Sequence, residues 1–296
     1  VFEEKMEIKS TVKIFDGYLI RFSHQSLETK TPMTCALYLP LRAYQDRNDA
    51  SGEKVPILYY LSGLTCTDEN VCQKSGVFKS LSNLQIAFVA PDTSPRGANI
   101  PGEDDSWDFG TGAGFYLDAS KEPWSNNYRM YSYITKELPS FLASNFPILD
   151  TDRASITGHS MGGHGALTIA LKNQNLYKSV SAFSPICHPS NCPWGIKAFT
   201  NYLGEDSTDL WNEYDATSLL KSLGKTKFES ILIDVGTDDS FLKAKQLLPE
   251  DLQEVATDVG QNICIRYQEG FDHSYYFIST FIEDHIIFHA KHLGKL

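Results

Sequence analysis

The segment from Ile156 to Ala166 reads I-T-G-H-S-M-G-G-H-G-A and contains Gly158-His159-Ser160-Met161-Gly162, a G-x-S-x-G spacing. That spacing puts a serine on a sharp turn between a strand and a helix, with its oxygen held outward as a nucleophile requires. Ser160 is the candidate nucleophile. A turn so tight brings neighbouring backbone close, so a Cβ at Gly158 or Gly162 is expected to collide with it. The flanks fit: Arg153 to Thr157 reads as a short strand and Gly163 to Lys172 as a helix.

A serine hydroxyl is almost fully protonated near neutral pH, so it needs an imidazole to take its proton and return it. Of the eight histidines, His273, His285, His289 and His292 follow the candidate acids. The last three fall on a C-terminal helical stretch, where solvated or capping roles are the expectation. His285 and His289 also share the i, i+4 spacing of metal ligands, with the helix roles the plainer expectation. His273, in the turn Phe271-Asp-His-Ser274, is the candidate base. An acid must orient it and stabilise its charged form. Asp234 falls inside a strand and is poorly placed, whereas Asp238 and Asp239 both lie in the turn after it. Spacing alone does not choose between them.

The elements that position these groups follow from apolar patterning. Val12 to Ser23 and Met33 to Leu39 predict a leading hairpin around a turn at His24 to Thr31, and Asp46 to Lys54 a loop. Val55 to Leu61 (V-P-I-L-Y-Y-L) is a continuous apolar run, as expected of a strand buried on both faces. It ends in Ser62-Gly-Leu-Thr-Cys66, a turn suited to supply an oxyanion-binding N–H near Leu64; the second donor is expected from Met161, after the nucleophile. Ser75 to Asn83 predicts a helix, and Ile86 to Ala90 a strand joined by a right-handed crossover. Thr93 to Ser125 is a long irregular excursion, a length that usually marks function. Its Gly110-Thr-Gly-Ala-Gly114 lacks the Lys-Ser/Thr ending of a phosphate loop and reads as tight turns. Tyr128 to Phe146 predicts a helix kinked at Pro139. Strands are expected at Ser179 to Phe183, Ile231 to Val235 and Ile263 to Tyr267. Helices are expected at Gln246 to Val259 and Tyr275 to His292, with an irregular segment from Pro185 to Tyr202. Strands alternating with helices imply an α/β fold: a mostly parallel central sheet, helices on both faces, and the site at the C-terminal strand ends. Ser, then acid, then His is the chain order of α/β-hydrolases.

Bulk properties narrow the function. At 296 residues and 42% hydrophobic, the chain is expected to form a single domain, 1–296, around one large core. A net charge of −11 without a basic run argues against nucleic acid, although local charge at a pocket can still favour an acidic small molecule. No apolar stretch is long enough for a membrane span, and V-F-E-E-K-M-E-I-K has no apolar secretion signal, so a soluble, non-secreted protein is expected. Six cysteines lacking C-x-x-C pairs read as reduced thiols; Cys187, His188 and Cys192 lack a fourth metal ligand, so no metal and no cofactor are expected.

Five blocks in order carry a more specific signal: L-S-G-L-T-C-T at 61–67, P-D-T-S-P-R-G at 91–97, S-W-D-F-G-x-G-A-G-F-Y at 106–116, G-H-S-M-G-G-H-G-A at 158–166 and F-D-H-S-Y-Y-F at 271–277. The chain resembles the S-formylglutathione hydrolase (esterase D) family nearly end to end. The resemblance implies a cytoplasmic serine thioesterase of the α/β-hydrolase fold, commonly a homodimer, that splits S-formylglutathione into glutathione and formate in formaldehyde detoxification. It implies a triad of Ser160, Asp239 and His273, choosing Asp239 over Asp238. It also implies a cysteine near the site at Cys66, read here as modulating rather than catalytic, with a small buried hydrophobe the plainer role; Trp194, in C-P-W-G, is expected to border the acyl pocket, with a core aromatic as the alternative. Arg96 or Lys197 could meet the glutathione carboxylates, with surface solvation the plainer role for each. The competing expectations are a general short-chain carboxylesterase or acyltransferase and, from another class, a catalytically silent binding protein.

Overall fold

The computed structural model describes residues 6–49 and 51–296; the readings of the N-terminal segment and of the Asp46 to Lys54 loop lie outside the described residues at 1–5 and at 50. Nine strands form one sheet: β1 (Glu7–Lys13), β2 (Gly17–Gln25), β3 (Pro32–Pro40), β4 (Val55–Leu61), β5 (Ala87–Pro91), β6 (Leu149–Gly158), β7 (Tyr177–Phe183), β8 (Ile231–Gly236) and β9 (Ile263–Gln268). Their order is β1-β2-β3-β5-β4-β6-β7-β8-β9. From β5 to β9 every pairing is parallel, while β1, β2 and β3 add an antiparallel flank.

Alternation within the central strands divides the core between the two faces. Ile57, Tyr59 and Leu61 of β4 and Ala87 and Val89 of β5 pack on one side, with Leu167 and Ile169 of the helix Met161–Lys172. Leu58 and Tyr60 of β4 and Phe88 of β5 pack on the other, with Phe277, Ile282 and Ile286 of the helix Tyr275–His292. Every residue of β4 is buried, as a strand covered on both faces must be.

Several elements differ from expectation. The hairpin is β2 with β3, and Val12 belongs instead to β1, because Phe15-Asp16-Gly17 turns the chain first, with Ile14 N donating to Gly17 O. β1 itself is exposed throughout, so it has no buried face to mark it as a strand. The helix expected at Ser75 to Asn83 runs from Phe78 to Leu84, and a separate helix, Glu69–Lys74, precedes it, the two parted where Gly76 takes a φ of +71°. At Pro139 the helix is interrupted by a π-helical turn at Tyr133–Glu137, where the wider turn accommodates the disruption next to a proline. The supposedly irregular 185–202 segment contains the helix Pro193–Tyr202, whose buried Trp194, Ala198, Phe199 and Tyr202 keep helical spacing behind a proline start.

The final helix brings the clearest correction. His285 and His289 are fully buried rather than solvated. They join a polar network between that helix and the sheet: His289 lies 2.8 Å from both Ser179 and Ser181, and His285 lies 2.8 Å from Ser181 and 3.2 Å from Asp234. Asp234 in turn accepts two hydrogen bonds from Arg266, each 2.6 Å. The hydroxyls facing that helix require buried partners, and the histidines supply them. His292 does fit an end-of-helix role, with Nδ1 2.9 Å from Phe288 O.

Candidate functional site

Ser160 sits between β6 and the helix Met161–Lys172 with φ 58° and ψ −120°, a strained conformation for a residue with a side chain. The strain is held by neighbours: Ser160 N donates to Phe183 O at 2.9 Å and His159 N to Leu61 O at 3.0 Å. A Cβ at Gly162 would overlap Leu61 O, and one at Gly158 would overlap Gly162 O, so both positions exclude a side chain by contact with backbone.

The turn after β4 is braced by the long excursion. Tyr116 donates its hydroxyl to Ser62 O at 2.8 Å, and Thr65 N donates to Gly112 O at 2.9 Å. Gly110 to Gly114 form tight turns whose amides are taken by protein: Gly110 N by the Tyr202 hydroxyl at 3.0 Å and Gly112 N by Ser94 Oγ at 2.7 Å. By contrast, the amides of Leu64 and Met161 have no protein acceptor among the described residues, and Leu64 lines the same cavity as Ser160. Unpaired backbone amides beside a serine are the type of donor that can stabilise a tetrahedral oxyanion.

β8 ends in the turn that carries both aspartates, which face opposite ways. Asp238 is exposed and pairs with Lys243 at 2.9 Å. Asp239 is fully buried; it caps the short helix Ser240–Lys243 by accepting from Phe241 N at 2.8 Å, and its other oxygen lies 2.5 Å from His273 Nδ1. Burial alone would raise the Asp239 pKa, but His273 and the Phe241 amide more than offset it, and the group stays below the usual carboxylate range. An ionised Asp239 can only accept, so the His273 proton sits on Nδ1 and Nε2 is left as a base. Ser160 and His273 line one cavity of about 320 Å³, although no hydrogen bond of good geometry joins the two side chains. Such contacts often tighten only around a substrate.

The His273 ring lies between two others: His159 at 4.4 Å, tilted, and Phe241 at 4.8 Å, edge-on. Neither was singled out in the sequence, though His159 is the second residue of the G-x-S-x-G pattern and Phe241 follows Asp239 by two. Both His159 ring nitrogens are buried without a partner among the described residues. Burial first, and then the charge of His273, hold its pKa well below the ordinary value, so His159 is a neutral ring.

Cys66 and Trp194 both line the cavity. Burial pushes the Cys66 thiol up, against lowering by Tyr275 and Lys74, which disfavours a thiolate nucleophile. Trp194 packs on Phe241 at 4.6 Å and on Trp107, from the excursion, at 5.7 Å. Arg96 and Lys197 are not in the cavity lining, and neither is simply solvated. Arg96 clamps Asp92 at 2.7 and 2.9 Å and reaches Cys66 O, while Lys197 is tied to Asp108 and to Ser106. The cation that does line the cavity is Lys74, beside Asn70 and Tyr275. Of the residues considered as metal ligands, Cys187 and Cys192 are buried in the core and His188 pairs with Asp251 at 2.6 Å.

The Esterase family model matches residues 26–288. An S-formylglutathione hydrolase of Rattus norvegicus is 54% identical over 98% of this chain and 100% of its own. One from Arabidopsis thaliana is 55% identical over 97% of each. Among solved structures, an S-formylglutathione hydrolase from Agrobacterium tumefaciens superposes with a TM-score of 0.90 at 46% identity, covering 97% of this chain and 99% of that one.

Proposed function

From the premise that this chain belongs to the S-formylglutathione hydrolase family and has the α/β-hydrolase fold, we propose that it hydrolyses S-formylglutathione through Ser160, His273 and Asp239. Ser160 Oγ attacks the formyl carbon while its proton passes to His273 Nε2, and the oxyanion is held by the Leu64 and Met161 amides. The C–S bond breaks, His273 protonates the departing glutathione sulfur, and Ser160 is left as a formyl ester. Water then attacks that ester with His273 as base, releasing formate and restoring the serine proton.

The observation that carries this reading is the buried Asp239 bonded to a His273 that opens on the cavity also holding Ser160 and the free Leu64 amide. Trp194 and Phe241 are read as bounding the acyl side, where a formyl group needs little room and longer acyl groups meet aromatic walls. Cys66 is read as a modulator. We also place the enzyme in the cytoplasm as a homodimer, as the resemblance implies; light scattering on the purified protein tests the assembly.

Ser160→Ala tests the mechanism. Formate release from S-formylglutathione is expected to fall by at least about 10³-fold, with far-UV circular dichroism unchanged. Near-normal release by that variant would overturn the assignment. Comparing kcat/KM across acyl thioesters and oxyesters separates this reading from a general carboxylesterase, which would show no large preference for the formyl thioester.

A further inference from the structure

A second cavity, of about 620 Å³, is lined by Lys74, Ser274, Tyr275, Tyr276 and Ser279. It shares Lys74 and Tyr275 with the catalytic cavity, so the two meet at that pair. Lys74 ends the helix Glu69–Lys74 and is exposed, with its ammonium 5.8 Å from the Tyr275 ring centre and no ion-pair partner among the described residues. One turn earlier Asn70 also faces the catalytic cavity, and its Oδ1 accepts from Thr67 N at 2.8 Å, which fixes the amide and leaves Nδ2 as a donor. Among the described residues, no carboxylate lines either cavity. In a chain of net charge −11, an unpaired cation beside the Asn70 amide donor is a local exception that favours an anion.

We infer that Lys74 binds a carboxylate of the thiol half of the substrate, and that the groove beyond Tyr275 receives that arm. The inference rests on reading the substrate as a glutathione thioester. A formyl group is small and uncharged, so a cation at the cavity rim has no partner on the acyl side. Glutathione carries two carboxylates, and the cations nearest in sequence logic, Arg96 and Lys197, are already committed to Asp92 and Asp108. Lys74 is then a specificity-determining group: it acts on binding of the charged arm and leaves bond making to Ser160 and His273.

The test compares Lys74→Gln and Lys74→Arg in the full chain on S-formylglutathione, its dimethyl ester and neutral 4-nitrophenyl acetate. Lys74→Gln should raise KM for S-formylglutathione about tenfold more than for the neutral ester, the size of one charge-assisted hydrogen bond at a partly exposed site. Lys74→Arg should restore most of the difference, and esterifying the carboxylates should abolish it. Equal effects on charged and neutral substrates, or a gap that survives esterification, would overturn the inference. If the unaltered protein turned over no S-formylglutathione, the proposed function would fail separately. Lys74 would then be read from S-methylglutathione inhibition of 4-nitrophenyl acetate hydrolysis: an inhibition constant about tenfold weaker in Lys74→Gln supports the carboxylate contact, and an unchanged one refutes it.

Discussion

Asp238 and Asp239 are adjacent in the chain and differ only in what surrounds them. One faces solvent and a lysine; the other is buried against an imidazole and the first amides of a helix. A carboxylate in the second setting fixes which His273 nitrogen carries the proton, and an amide there can present its N–H to Nδ1 and leave the wrong tautomer facing the serine. Asp239→Asn is therefore expected to lower kcat by about 10³ to 10⁴-fold, whereas Asp238→Asn should change it by less than about twofold. Steady-state kinetics of the two variants checks this, and comparable losses in both would contradict the assignment. The choice was legible through the resemblance but not through spacing, because both aspartates lie in one turn and only the folded backbone tells which way each points.

Between β6 and the following helix, the position of Ser160 depends on two glycines packed against the end of β4. Gly162→Ala forces its methyl into Leu61 O, and the neighbour is backbone rather than a side chain that could swing away. Overpacking of this kind costs about 1–3 kcal/mol, and relieving it would move the Ser160 turn itself. The variant should melt several degrees lower and label poorly with a fluorophosphonate probe; a wild-type melting temperature with full labelling would show that the turn tolerates the methyl. This element was readable from sequence because close packing leaves its mark in residue type, as does burial on both faces in the unbroken apolar run of β4. Exposed β1 leaves no such mark, and the helix Pro193–Tyr202 hides its period behind Pro189 and Pro193. His285 and His289 were misread for a different reason: their partners Ser179 and Ser181 lie more than a hundred residues away in the chain. Trp107 and Lys74 reach the cavity through the same long-range assembly, which local patterning does not encode.

Across the whole molecule, a set of buried histidines stands apart from His273, the proposed base at the cavity wall. Burial lowers the pKa of His24 and of His164 from 6.5 to about 4, and it also lowers those of His159, His285 and His289. In the unfolded chain these groups would take up protons near pH 6.5, while the folded protein resists protonation until about pH 4 at His24 and His164. Within that window the unfolded state binds more protons, so lowering the pH favours unfolding, and above the window the effect vanishes. By about pH 4.5 a histidine so shifted costs about 2 kcal/mol, and His24 with His164 alone should lower the melting temperature by about 10 °C relative to pH 7.5. The depressed carboxylates Asp234 and Asp239 add to the loss only at still lower pH, as they approach protonation. Calorimetric scans between these pH values test the division, since a flat melting temperature would mean that the buried rings gain protons in the fold as readily as in water. The buried set makes acid stability a property of the helix-to-sheet network and the core rather than of the proposed base His273. Replacing His24 or His164 should therefore shift the melting curve with pH more than it shifts the pH profile of kcat/KM.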